Sequence, residues 1–76
     1  MNDTHQKKLE TFQIIKKLEF MIADIGGIPL QDVYKEVKRK GIYSDNYHLS
    51  RCIKALEDQG FIKVDKWSII WINPKS

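Results

Sequence analysis

Apolar residues recur through the first third of the chain at helical spacing. At 100° per residue, Phe12, Ile15, Leu18, Ile22 and Ile25 share one broad face, widened by Ile14 and Met21. This pattern predicts a helix over about 4–24, with Asp3 or Thr4 as N-cap and Gly26-Gly27 as its stop. A helix of about 20 residues spans roughly 30 Å, which is long beside the 76 residues of the whole chain. Ile28 is placed either in a very short strand or packed under the turn. Pro29 suits the first turn of a second helix, where its missing N–H costs nothing. Leu30, Val33 and Val37, with Tyr34 beside them, carry that helix over 30–40, and Gly41 ends it. The third helix, over 45–59, opens after Ser44 or Asp45, turns Leu49, Ile53 and Leu56 inward with Cys52 adjacent, and ends at Gly60.

The period then changes. Phe61-Ile62-Lys63-Val64 and Ser68-Ile69-Ile70-Trp71-Ile72 predict strands at 61–65 and 68–72, joined by a short turn near Asp65-Lys66-Trp67. The second strand is too apolar for simple alternation, so both its faces are expected to be covered. Asn73-Pro74-Lys75-Ser76 is expected to fray. A hairpin cannot stand alone and must pack on a helix. The expectation is therefore one α+β domain over 1–76, three helices followed by a hairpin, with a long N-terminal helix. Its core should be dominated by Leu18, Ile22, Val33, Val37, Leu49, Ile53, Leu56, Ile62 and Ile70. The connection Lys40–Ser44 has the length found between the paired helices of a helix-turn-helix.

At this point the chain resembles a winged helix-turn-helix domain of the small bacterial, archaeal and phage transcription regulators. The resemblance rests on YSDNYHLSRCIKALEDQGFIKV, residues 43–64, whose pieces are Ser50-Arg51, Leu56-Glu57-Asp58-Gln59, Gly60 and Phe61-Ile62. Upstream, IGGIPLQDVYKEVKRKG at 25–41 is similar to the turn, first strand and second helix of that fold. The wing departs from the family pattern: about three residues separate the last two strands, where relatives often carry a longer basic loop. The resemblance implies that the third helix enters the major groove of DNA and that the molecule dimerises through a terminal helix.

On the side opposite its apolar stripe, the third helix carries Tyr47, Arg51, Lys54 and Asp58, flanked by His48 and Ser50. Arg51 suits a bidentate contact to guanine, Lys54 a base or phosphate, and Tyr47, His48 and Ser50 supporting contacts. Asn46, at the leading end, suits adenine or a capping role, and Ser44 lies beside it. Basic residues gather in Lys38, Arg39 and Lys40 on the second helix and in Lys63 and Lys66 on the hairpin, where flanking phosphates would be met. Segment 44–58 itself holds two cations, Arg51 and Lys54, against Asp45, Glu57 and Asp58, a net charge of −1. Trp67 suits stacking on a sugar or base, although Trp67 and Trp71 share strand parity and are expected to pack together. Leu9 and Phe20 fall away from the inward face of the first helix and are expected to form a homodimer surface.

Composition narrows the classes. Hydrophobic residues at 42% and charged residues at 30% are those of a folded protein. The length excludes a Rossmann domain or a TIM barrel. No apolar run approaches the roughly 18 residues of a membrane span, and MNDTHQKKLE is no signal peptide, so a cytoplasmic protein without membrane contact is expected. The charge of +3, from 13 basic and 10 acidic residues, is compatible with a polyanionic partner. A lone cysteine, Cys52, forms no internal disulfide, and with only His5 and His48 beside it there is no structural zinc set. No phosphate-cradling glycine loop, acid–base carboxylate pair or nucleophile triad has convincing spacing. An enzyme, a cofactor and a small-molecule effector are therefore not expected. The leading expectation is a sequence-specific regulator of double-stranded DNA. A winged-helix protein-interaction module and an architectural or replication-associated DNA binder are the alternatives.

Overall fold

The computed structural model describes residues 3–74. They form α1 (Asp3–Lys17), α2 (Phe20–Ile25), β1 (Ile28–Pro29), α3 (Leu30–Arg39), α4 (Asn46–Asp58), β2 (Ile62–Asp65) and β3 (Ser68–Ile72). The class is α+β, and the bounds of α3 and α4 fall within one residue of those the apolar spacing predicts. The first helix and the sheet differ.

The expected long helix is two helices. Around Leu18 and Glu19 the backbone bonds tighten from four residues to three: Leu18 N–H donates to the Ile15 carbonyl at 3.0 Å and Glu19 N–H to the Lys16 carbonyl at 3.2 Å. Met21 and Ile22 repeat the pattern on Leu18 and Glu19 at 3.0 Å each. A tightened turn shifts the phase of every later side chain, and it lays α2 against β1 and β3. Neither Gly nor Pro stands at the jog, so no local signal announces it. As a result Ile25 leaves the inward face and is 65% exposed. Leu18 and Ile22, expected at the centre of the core, are only half-buried at its edge. Phe12, Ile14 and Ile15 of α1 are buried in their stead.

Gly26 caps α2 at φ 88°, a left-handed conformation that glycine adopts without penalty. Gly27 follows for a different reason. A Cβ there would stand 3.0 Å from Ser68 Cβ, so the bare backbone lets β1 approach β3. The pairing is antiparallel, Ile28 opposite Ile69 and Pro29 opposite Ser68. The short strand at Ile28 is therefore formed, Ile28 is fully buried, and the three-stranded sheet runs β1-β3-β2.

Strand β3 carries a bulge. Ile62 faces Ile72 and Lys63 faces Trp71, but Val64 faces Ile69, leaving Ile70 as the extra residue. A bulge breaks the two-residue period, so Ile69 and Ile72 both turn inward while Ile70 is 40% exposed. The expected core position at Ile70 thus belongs to Ile69. The same shift leaves Ile70 and Trp71 exposed, so the outer face of β3 is open among the described residues.

The core unites Phe12 and Ile15 with Ile28, Val33, Val37, Leu49, Ile53, Leu56, Ile62 and Ile69. Phe61, just before β2, closes it by a tilted ring contact with Phe12 at 5.3 Å. Among the described residues the buried polar side chain is Thr11, which donates to the Lys7 carbonyl at 2.8 Å. Asn73, expected to fray, donates its N–H to the Phe61 carbonyl at 2.8 Å. Lys75 and Ser76, expected in the same tail, lie outside the described residues. Among the described residues no helix is long and apolar enough to cross a membrane.

Candidate nucleic-acid interface

Helix α4 is fixed from both ends. At its start the Asp45 side chain accepts the His48 backbone N–H at 2.8 Å, so of the two expected caps, Ser44 and Asp45, it is Asp45 that forms. The His48 ring Nδ1 lies 2.9 Å from the other carboxylate oxygen. The His48 backbone N–H, and then its ring, hold the Asp45 carboxyl below the usual aspartate value. At its end Phe61 N–H donates to the Leu56 carbonyl at 3.0 Å and turns the chain into β2. Leu49, Cys52, Ile53 and Leu56 are buried, so Asn46, Tyr47, His48, Ser50, Arg51, Lys54 and Asp58 are left on the exposed surface.

Several of these side chains are already oriented. Arg51 Nη1 donates to the Tyr47 hydroxyl at 2.9 Å, and its guanidinium carbon stands 5.7 Å from the Tyr47 ring centre. Ser50 Oγ donates to the Tyr47 carbonyl at 2.8 Å. Burial raises the Tyr34 phenol, partly offset by the Ser50 side chain. Lys54 is 4.0 Å from Asp58, a loose exposed pair of little energetic weight.

The flanking basic residues are not one patch. Arg39 is held by Glu36 through two bonds of 2.9 and 3.1 Å, which lower the Glu36 carboxyl and engage two of the five Arg39 donors. Lys40 borders a depression shared with Glu10 and Lys17 of α1, whereas Lys38 is simply exposed. The hairpin tip lies at the other end of α3, where Leu30 N–H donates to the Trp67 carbonyl at 2.7 Å. Ten residues of helix separate these ends by about 15 Å. At the tip only Lys66 and Trp67 connect the strands, and Lys66 takes a left-handed φ of 58°. Trp67 is 80% exposed, and among the described residues no ring contact joins it to Trp71, contrary to the expected pairing. Lys63 faces Trp71 on the outer side of the sheet. Ser44 is exposed just before the Asp45 cap.

Two further cations stand beside α4 without any local sequence signal. Lys7 and Lys8, in the first turns of α1, line a groove with Tyr43, His48 and Arg51. The Lys7 ammonium stands 5.3 Å from the Tyr43 ring centre, and Lys8 donates to Gln59 Oε1 at 3.0 Å. They add positive charge beside a helix whose own segment is net negative. Burial, aided by the adjacent Cys52 thiol, pushes the Tyr43 phenol up to about 12. Cys52 itself is buried. Among the described residues no group of three His, Cys, Asp or Glu side chains is placed to hold a metal ion.

Leu9 and Phe20, expected on one line of one helix, stand on α1 and α2, separated by the jog. Both are exposed, Phe20 at 58%. No protein-family model matches this chain, and no match is found among curated proteins or solved structures.

Proposed function

We propose that this protein is a winged helix-turn-helix regulator that binds double-stranded DNA sequence-specifically, with α4 in the major groove. The observation that carries the reading is the pairing of an exposed, pre-oriented Arg51 with the element order of the chain. A helix pair, α3 and α4, is followed by a hairpin whose last strand lies between β1 and β2. In that arrangement the outer face of α4 is free to enter a groove about 12 Å wide. Tyr47 holds the Arg51 fork by one nitrogen, so less side-chain freedom is lost when the remaining donors meet guanine.

Lys38, Lys40, Lys63 and Lys66 supply phosphate attraction on the flanks. Arg39 contributes less, because the Glu36 carboxylate beside it offsets its charge. Trp67 and Lys66 touch a phosphate or sugar from the hairpin tip, a two-residue turn too short to run along the minor groove. Lys7 and Lys8 offset the negative charge of α4. A homodimer, with Phe20 of α2 and Leu9 of α1 in its interface, doubles the contacts of one small module and reads two half-sites.

Selection from a pool of random duplexes tests this reading. A retained pool sharing a short motif, repeated with twofold symmetry, is the expected result. A pool that stays random despite binding favours an architectural DNA binder. A second reading, a protein-interaction module, draws on the exposed apolar side chains Phe20, Ile25, Ile70 and Trp71. It prevails if no duplex is retained at all.

A further inference from the structure

We propose that the groove between the first turns of α1 and the N-terminal half of α4 binds a small organic anion with an apolar body, such as an aryl phosphate. The groove is open on one side and has a volume of about 690 Å³, within the range of small-molecule sites. Lys7, Lys8 and Arg51 border it, and Ile42, Tyr43 and Ala55 supply apolar lining.

The charge there is unbalanced. Among the described residues the carboxylate that lines the groove is Asp45, which accepts the His48 backbone N–H at 2.8 Å and lies 2.9 Å from the His48 ring. Among the described residues the three cations rest on neutral groups: Lys7 over Tyr43, Lys8 on Gln59, Arg51 on Tyr47. An incoming anion therefore gains charge-assisted hydrogen bonds without displacing a carboxylate. The apolar lining selects the rest of the ligand, since inorganic phosphate leaves Ile42 and Tyr43 uncovered, whereas an aromatic body covers them. Arg51 also stands on the proposed DNA-reading face, so a ligand held here competes with DNA for it. That consequence rests on the DNA reading, but the site does not.

The site is tested on the whole chain without DNA, by amide-resolved NMR titration with phenyl phosphate, inorganic phosphate and benzyl alcohol. Phenyl phosphate is expected to give saturating shifts centred on Lys7, Tyr43, His48 and Arg51. Its affinity should fall about tenfold to a hundredfold in Lys7→Gln and in Arg51→Gln, the loss of one charge-assisted bond each. Lys35→Gln, on the exposed side of α3, should leave it unchanged. Inorganic phosphate and benzyl alcohol should each bind more weakly than phenyl phosphate. Shifts that never saturate, that spread over all lysines, or that weaken equally in Lys35→Gln and Lys7→Gln would overturn the site. So would equal binding of benzyl alcohol. Duplex selection reads the DNA hypothesis separately, so the two failures are distinguishable.

Discussion

Ile69 is fully buried and Ile70 exposed because the β3 bulge inserts one residue between inward positions. The same side chain at adjacent positions therefore has different energetic weight. Ile69→Ala should cost about 2–5 kcal/mol through lost burial and a residual cavity. Ile70→Ala should cost less than half as much, as read from urea unfolding of both variants. Equal losses would contradict the register. The apolar run of this strand was legible in the sequence, but the bulge was not: one extra residue leaves no mark in composition, and alternation places Ile70 on the inward face. Asp45 was legible, because a cap is a local event. Its folded carboxyl is depressed below the unfolded value of about 3.9. Its stabilising contribution is therefore complete above that value and is lost as pH falls through the folded one. Asp45→Asn keeps a capping acceptor and cannot titrate. Thermal melts should show it near the unmodified protein at neutral pH, with a shallower decline below pH about 3.9. A decline as steep as the unmodified protein's would remove Asp45 from the acid response.

Among the elements, α3, α4 and the hairpin were readable because each has a sharp period and a nearby stop. The first helix misled because its periodicity continues through Leu18 and Glu19, while the tightened turn that splits it answers to packing of α2 on the sheet. The strand at Ile28 was an open alternative for a similar reason, since two residues carry no period. Its existence depends on Gly27. Gly27→Ala pushes a methyl to 3.0 Å from Ser68 Cβ, on a strand hydrogen-bonded along both edges. It should cost about 1–3 kcal/mol, the range of overpacking, and hydrogen exchange should quicken at the Leu30 amide, which bonds to the Trp67 carbonyl. Unchanged exchange and stability would show that the strand pair can yield.

At the scale of the molecule, the exposed residues of α4 were legible from the buried stripe opposite them, and the structure orients Arg51 and Tyr47 together. Lys7 and Lys8 escaped because their relevance arises only when α1 packs beside α4, a contact between residues more than forty apart. Conversely, Arg39 looked available in a basic run, yet its neighbour Glu36 engages it. For assembly, Phe20→Glu should turn the proposed dimer into a folded monomer with weaker operator binding. Sedimentation of the unmodified chain as a monomer at tens of micromolar, with no shift on substitution, would reject that surface.

The proposed division of labour on DNA is tested most directly by titrating Arg51→Ala and Lys38→Ala against a selected and a scrambled duplex at several salt concentrations. Arg51→Ala should lose about 1–3 kcal/mol of discrimination at one base position in each half-site. Lys38→Ala should weaken both duplexes nearly equally and reduce the slope of log affinity against log salt by roughly one. Absence of salt-dependent binding to either duplex by the unmodified chain at micromolar concentration, or equal binding of both with no sequence-dependent effect of Arg51, would contradict sequence-specific recognition by α4.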